Sequence, residues 1–253
     1  MRMASSYHTD EECGRARSSN CRILRESDCG DDVDTTWSSE WWTLITCPHD
    51  DDDAHIDTVV IAVDGACRNN GKPSAEASYG VFFHRDNHQW NECAVLPDDF
   101  TTNQQAELAA GLNALRLAKR LRWLNTDKCG RPRRQGPMRR LSRVLITSDS
   151  SYLVNAMTDW IYKWRQNGYL NSRDQPVTNA GLFQQLEAEV QELNDLDVEV
   201  QFWHVPRAEN VMANMLASAA LDGETASDRM RRYNSALNAI EQGDDYDSEE
   251  EYW

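Results

Sequence analysis

The spacing of apolar residues along this chain changes at intervals, and each change marks an element. Residues 59–63, Val-Val-Ile-Ala-Val, form a short unbroken apolar run that predicts a buried strand. Positions 79–84 and 89–95 predict the next two strands of a meander, separated by a polar turn around Asp86 and Asn87. From Asn103 the spacing becomes helical through Ala106, Ala110, Leu112, Leu115, Leu117 and Leu121, with Thr101 or Thr102 as N-cap. A strand at 144–147, a short helix at 152–157, a helix at 182–193, a strand at 198–205 and a last helix at 211–221 follow. Three strands, helix, strand, helices, strand, helix is the order of an α/β domain: a mixed five-stranded sheet with helices on both faces.

Three acids fall at telling places in this pattern. Asp64 closes Val-Val-Ile-Ala-Val-Asp, Asp149 closes Val-Leu-Ile-Thr-Ser-Asp, and Glu107 lies one turn into the long helix. Strand ends are where an open α/β sheet presents its ligand-binding groups. Carboxylates gathered there are costly to ionise unless positive charge sits between them. Hard oxygen donors of this kind suit Mg2+ or Mn2+, and two such ions side by side would clamp a phosphodiester for in-line attack. Taken one at a time, the same residues would be ordinary surface acids.

Charge divides the chain of 253 residues into three. The formal charge of −16 resides in the flanks: residues 1–57 carry 14 acids against 5 bases, and residues 222–253 carry 10 against 3. The 58–221 segment is neutral. Few periodic apolar positions and runs such as 50–53 and 249–251 predict disorder in both flanks. Trp37, Trp41 and Trp42 are unusual in such a tail, and either pack on the domain or bind a partner. No stretch reaches transmembrane length, and the first residues lack the apolar run of a signal peptide. Seven scattered cysteines without a CxxC pair suggest neither a disulfide framework nor a zinc site. The expectation is a monomer of the cytoplasm or nucleus, with no membrane and no protein partner implied.

The motifs Asp-Gly-Ala-Cys-Arg-Asn-Asn-Gly (64–71), Thr-Asn-Gln-Gln-Ala-Glu (102–107) and Ser-Asp-Ser-Ser-Tyr (148–152) occur in this order. With segments 160–177 and 202–221, the chain resembles type 1 ribonuclease H over about two-thirds of its length. That family cleaves the RNA strand of RNA–DNA hybrids. The resemblance implies its fold and makes Asp64, Glu107 and Asp149 catalytic carboxylates holding two Mg2+ ions, with Mn2+ a possible substitute. Asn69, Asn103 and Gln104 match positions that read 2′-hydroxyls and base edges in the hybrid's minor groove, where small amides both donate and accept. Thr102 and Asn179 match a phosphate pocket for the DNA strand. Ser150, Tyr152, Trp160 and Trp164 complete the implied substrate-binding set. From the residues alone, Asn69 reads equally as a turn former, Asn103 as a helix cap and the two tryptophans as core, with one buried and one at the groove the favoured arrangement.

Two departures stand out. Where the family has a fourth carboxylate, in Asn-Glu-x-x-Asp-x-Leu-Ala, this chain has Asn214, and neither Asn210 nor Val211 one turn back restores the charge. An amide oxygen can ligate a metal but brings no charge and accepts no proton. The family's loop histidine is also missing: Val-Pro-Arg-Ala-Glu (205–209) joins the last strand to the helix, and His204 belongs to the strand in a structural role. The basic protrusion between 160 and 177 is thinned to Lys163, Arg165 and Arg173, while a basic cluster appears in an insertion at about 125–142. That cluster either grips nucleic acid or pairs with the acidic flanks. The expected function is a metal-dependent endoribonuclease acting on RNA–DNA hybrids, with activity reduced by Asn214 and by the loss of the loop histidine. Its rivals are a weakened or inactive hybrid-binding module and a retroelement-derived domain with the same chemistry.

Overall fold

The computed structural model describes residues 35–37, 43–45, 58–84, 90–124 and 141–243. Two short strands, β1 (Thr35–Trp37) and β2 (Thr43–Ile45), pair with each other. The domain itself starts at β3 (Thr58–Arg68), followed by β4 (Glu76–Phe82) and β5 (Glu92–Val95). The long helix α1 (Asn103–Leu124) leads to β6 (Arg143–Ser148). Then come α2 (Ser151–Asn155), a π-helical turn (Ala156–Trp160), α3 (Ile161–Asn167) and α4 (Ala180–Asp195). Strand β7 (Glu199–His204), a 3-10 turn (Arg207–Glu209), α5 (Val211–Leu221) and α6 (Ala226–Gly243) complete the chain.

The main sheet runs β5-β4-β3-β6-β7. The meander is antiparallel, and β3, β6 and β7 are parallel. The predicted mixed five-stranded sheet is therefore present. Residues of the central strand alternate between two cores, as the strand period of two requires. Val59, Ile61 and Val63 join Leu108, Leu115, Phe183 and Phe202 in the larger core, while Ala62 and Phe82 pack with Leu216 and Met230 on the opposite face. Helix α1 starts where expected. Thr102 Oγ1 accepts from the Gln105 N–H at 3.3 Å, and Gln105 Oε1 accepts from the Thr101 and Thr102 N–H groups at 2.9 and 3.1 Å. This reciprocal box satisfies donors that the first turn would leave unpaired.

Several expectations need correction. The C-terminal flank is not disordered throughout: α6 is an 18-residue helix with Ala226 and Met230 buried against α5 and β4. Gly223, at φ +77, lets the chain turn off α5, with the Glu224 N–H reaching Ala219 O at 2.9 Å. Thr225 then caps α6 by accepting from the Asp228 N–H at 3.1 Å. Among the described residues of α6, Ala226, Met230 and Tyr233 pack against the domain, and the charged residues between them hid the period. The expected single helix at 152–157 is instead α2, a π turn and α3 in series. In the N-terminal flank, β1 and β2 replace disorder at 35–37 and 43–45; Trp41, Trp42 and most of the basic insertion lie outside the described residues.

Candidate active site

Two glycines set the geometry. A Cβ on Gly65 would come within 2.2 Å of Glu107 N and 2.3 Å of the Ala106 carbonyl carbon, so the first turn of α1 lies directly on β3. Gly80 sits opposite Asp64 across the β3–β4 ladder. A Cβ there would come within 2.3 Å of Ala213 O and 2.5 Å of Ala217 N, so α5 lies directly on β4 from the other face. The two contacts bring Glu107 and Asn214 to either side of Asp64.

Asp64 is not the end of its strand, as the sequence suggested. Strand β3 continues to Arg68 beside β4, but its parallel ladder with β6 stops at Ala62 and Thr147. Asp64 thus stands just past the parallel edge, and Asp149 is the first residue beyond β6.

Each acid is held by short-range donors. Asp64, only 4% exposed, accepts from its neighbour Gly65 N–H at 2.9 Å and from Asn214 Nδ2 at 2.6 Å. Glu107 accepts from Asn103 Nδ2 at 2.7 Å and from the Ser150 hydroxyl. Asp149 Oδ1 accepts from Asn210 Nδ2 at 2.7 Å, while Arg207 stands 3.7 Å from Oδ2. Asn210 also donates to Val63 O at 2.9 Å, tying Asp149 to the central strand.

Charge is crowded here. Burial pushes the Asp64 carboxyl up to about 6, and the negative charge of Asp149 adds to this; the Asn214 and Gly65 N–H groups and Arg207 pull it back. Glu107 is raised as well, first by burial and then by Asp64 and Asp149, against hydrogen bonds from Ser150 and Asn103. Among the described residues no three His, Cys, Asp or Glu side chains are drawn close enough to hold one ion. The donor chemistry nonetheless fits a divalent cation. Burial makes the hard carboxylate oxygens of Asp64 and Glu107 costly to ionise, a cost that a cation would offset, and the buried Asn210 Oδ1 has no hydrogen-bond partner.

The sequence-derived residues divide into two clusters. In the first, Asp64, Glu107 and Asp149 are coupled through their charges, with Asn214 bonded to Asp64 and Asn103 and Ser150 bonded to Glu107. The second joins Tyr152 to Asn179 Nδ2 at 3.3 Å and packs Tyr152, Trp160, Trp164 and Phe183 together, with ring centroids 4.9 to 6.0 Å apart. Trp160 and Trp164 are both half-buried, not one in and one out, and both pack against the larger core. Asn69 adopts a left-handed φ of 53° and turns its amide onto Ser74 O at 3.1 Å, which is the turn-forming role. Gln104 is exposed, Thr102 is the N-cap of α1, and Asn179 precedes α4 with a φ of 63°. His204 is exposed at the end of β7, not packed into a structural role.

Three residues of the site escaped sequence reasoning. Asn70 Oδ1 accepts from the Asn103 N–H at 3.0 Å and helps seat α1. Asn210 reads as an ordinary N-cap, yet its side chain makes no cap bond and turns to Asp149 instead. The signal for it was present: Asn210 and Asn214 are one helical turn apart on one face. Nothing in the spacing marked Arg207.

Sheet order, the two packing glycines and the acid cluster define a ribonuclease H-like α/β domain. The family model for RNase H matches residues 57–222, and the chain belongs to that family. Ribonuclease H of Pelobacter propionicus is 31% identical over 163 residues, covering 64% of this chain and 84% of that protein. Ribonuclease H1 of Rattus norvegicus is 27% identical over 158 residues and 62% of this chain, which spans only 47% of the rat protein's length. A crystal structure of LC11-RNase H1 in complex with RNA/DNA hybrid aligns with a TM-score of 0.43 and 22% identity, over 65% of this chain and 96% of its own.

Proposed function

We propose that this protein is an endoribonuclease that cuts the RNA strand of RNA–DNA hybrids, acting as a monomer with two Mg2+ ions, or Mn2+ in their place. The observation that carries this reading is that Asp64, Glu107 and Asp149, each delivered by a different element, lie near enough at the rim of the sheet for the charge of Asp149 to act on both Asp64 and Glu107. Divalent cations bound among these carboxylates would supply the positive charge that a phosphodiester and its attacking water require. The chain's own residues do the positioning. Asn103 and Ser150 fix Glu107, Asn210 ties Asp149 to β3, and Asn214 holds one oxygen of Asp64. Asn103 keeps its amide oxygen for a second contact, which supports a role at the minor groove beside exposed Gln104. Tyr152 lies between the two clusters: it bonds to Asn179 and feels the charge of Glu107.

End-labelled RNA–DNA hybrid, double-stranded RNA, duplex DNA and single-stranded RNA, each incubated with the full chain and Mg2+, test the specificity. The hybrid alone should be cut, leaving 5′-phosphate and 3′-hydroxyl ends. Equal cleavage of double-stranded RNA would overturn the assignment. A second reading has a specific motive: a neutral amide faces Asp64 where charge would serve catalysis, as in a hybrid-binding module that has lost cleavage. Hybrid binding without cutting, with cutting restored by Asn214→Asp, would establish that alternative.

A further inference from the structure

Arg207 opens the 3-10 turn between β7 and α5. Its Nη1 stands 3.7 Å from Asp149 Oδ2, and its side chain is 76% exposed against 11% for Asp149. That distance is too long for a hydrogen bond, and such an exposed pair adds little to the fold. Other arginines of the domain are engaged more closely: Arg68 on Leu221 O and Asp222, Arg120 on Glu92, Arg116 on Glu189. Asp149 Oδ1 is already occupied by Asn210, so Oδ2 is its freer oxygen, and Arg207 stands over it. Arg207 also acts electrostatically on Asp64. A guanidinium held loosely at the rim of an acidic site suits a backbone phosphate, whose two non-bridging oxygens share one negative charge and can be taken with two parallel N–H bonds.

We propose that Arg207 contacts the substrate, taking a backbone phosphate of the hybrid beside the cut bond, and that the same guanidinium competes with a divalent cation for Asp149 Oδ2. The first half rests on the reading of this chain as a hybrid-cleaving enzyme. The two halves have consequences of opposite sign. Removing Arg207 deletes a phosphate contact and weakens hybrid binding, yet it frees Oδ2 and tightens cation binding. A residue that merely supported the turn would weaken both.

The full chain, Arg207→Ala and Arg207→Lys are compared in two assays. Mg2+ is titrated calorimetrically without nucleic acid, and fluorescent hybrid is bound in EDTA across a salt series. Arg207→Ala should bind hybrid roughly five- to tenfold more weakly, with a log–log salt slope shallower by about 1. Its Mg2+ affinity should rise about two- to fivefold, the factor a weak exposed pair represents. Arg207→Lys should keep the slope while recovering only part of the affinity, because an ammonium cannot bind bidentately. Unchanged hybrid binding in Arg207→Ala, or a loss of Mg2+ and hybrid affinity together, would overturn the proposal and leave the enzymatic reading standing. Failure of the natural chain to bind hybrid at all would remove both.

Discussion

Asn214 donates its amide N–H to Asp64 Oδ2 at 2.6 Å, so the asparagine expected at the position of a fourth acid serves as a donor to Asp64. The contact depends on Gly80, which lets α5 lie against β4 directly opposite Asp64. An amide here stabilises a buried carboxylate that would otherwise have only the Gly65 N–H and distant Arg207 for support. The chain thereby trades negative charge, which would attract cations, for a quieter acid.

Asn214→Asp should reverse that trade. Two carboxylates would face each other, so the protein should lose thermal stability at pH 8 in EDTA and regain it on adding Mg2+. The Mg2+ concentration for half-maximal cleavage should fall. Asn214→Ala leaves a buried carboxylate short of a donor, at a cost of about 1–3 kcal/mol. Its Mg2+ requirement should rise, placing the natural protein between its variants. Melting curves and metal titrations of the three proteins check the order; an alanine variant indistinguishable from the natural protein would show that the amide does nothing for Asp64.

Asp64 gives a pH prediction whose sign follows from its raised carboxyl. The folded value of about 6 lies above the ordinary 3.8, so the proton is held more tightly in the native state. Its stabilising contribution is complete below pH 3.8 and is lost as the pH rises through about 6. Asp64→Asn cannot ionise and escapes that loss. In EDTA, the stability of Asp64→Asn relative to the natural protein should therefore increase between pH 4 and pH 8, by at most about 3 kcal/mol. The variant should not cleave. A difference flat across that range would mean that Asp64 ionises without strain.

Glycine substitutions separate packing from flexibility. Gly80→Ala puts a methyl group 2.3 Å from Ala213 O, against backbone that cannot step aside, and should cost about 1–3 kcal/mol or more. It should also raise the Mg2+ requirement, because α5 carries Asn214 and begins directly after Asn210. Gly181→Ala, in the first turn of α4 with nothing within 4 Å of the new Cβ, should instead stabilise by about 0.5–1 kcal/mol. Thermal melts of both decide the matter. Equal effects would mean that the close approach of α5 to β4 is not enforced by Gly80.

Much of this domain was legible in its sequence. Strand periods and the apolar positions of α1 gave the sheet and long helix, and the acids stood out because charge at the end of a buried run is costly. What stayed hidden was set by contacts between distant segments. The sequence shows Asn210 as a cap, and only the approach of α5 to β3 reveals that its amide serves Asp149 and Val63 O. Arg207 acquires meaning only from the place where β7 ends relative to β6. Helix α6 was missed because its charged residues pair among themselves and with Glu224, for example Arg231 with Asp228 and Arg229 and Arg232 with Glu224. Such locally neutralised charge looks, in composition alone, like a solvated tail.

The central claim is that Asp64, Glu107 and Asp149 form one hydrolytic site for the RNA of a hybrid. The most direct measurement is a gel of end-labelled RNA–DNA hybrid incubated with Mg2+ and either the natural chain or Asp149→Asn, with hybrid binding measured in parallel. The natural chain should cut the RNA strand and stop when EDTA is added. The variant, with one negative charge removed from beside the phosphate, should bind hybrid at least as well and cut at least about a hundredfold more slowly, the scale of losing one well-placed electrostatic group. Cleavage by Asp149→Asn at the natural rate would contradict the account, because the acids would then not work together.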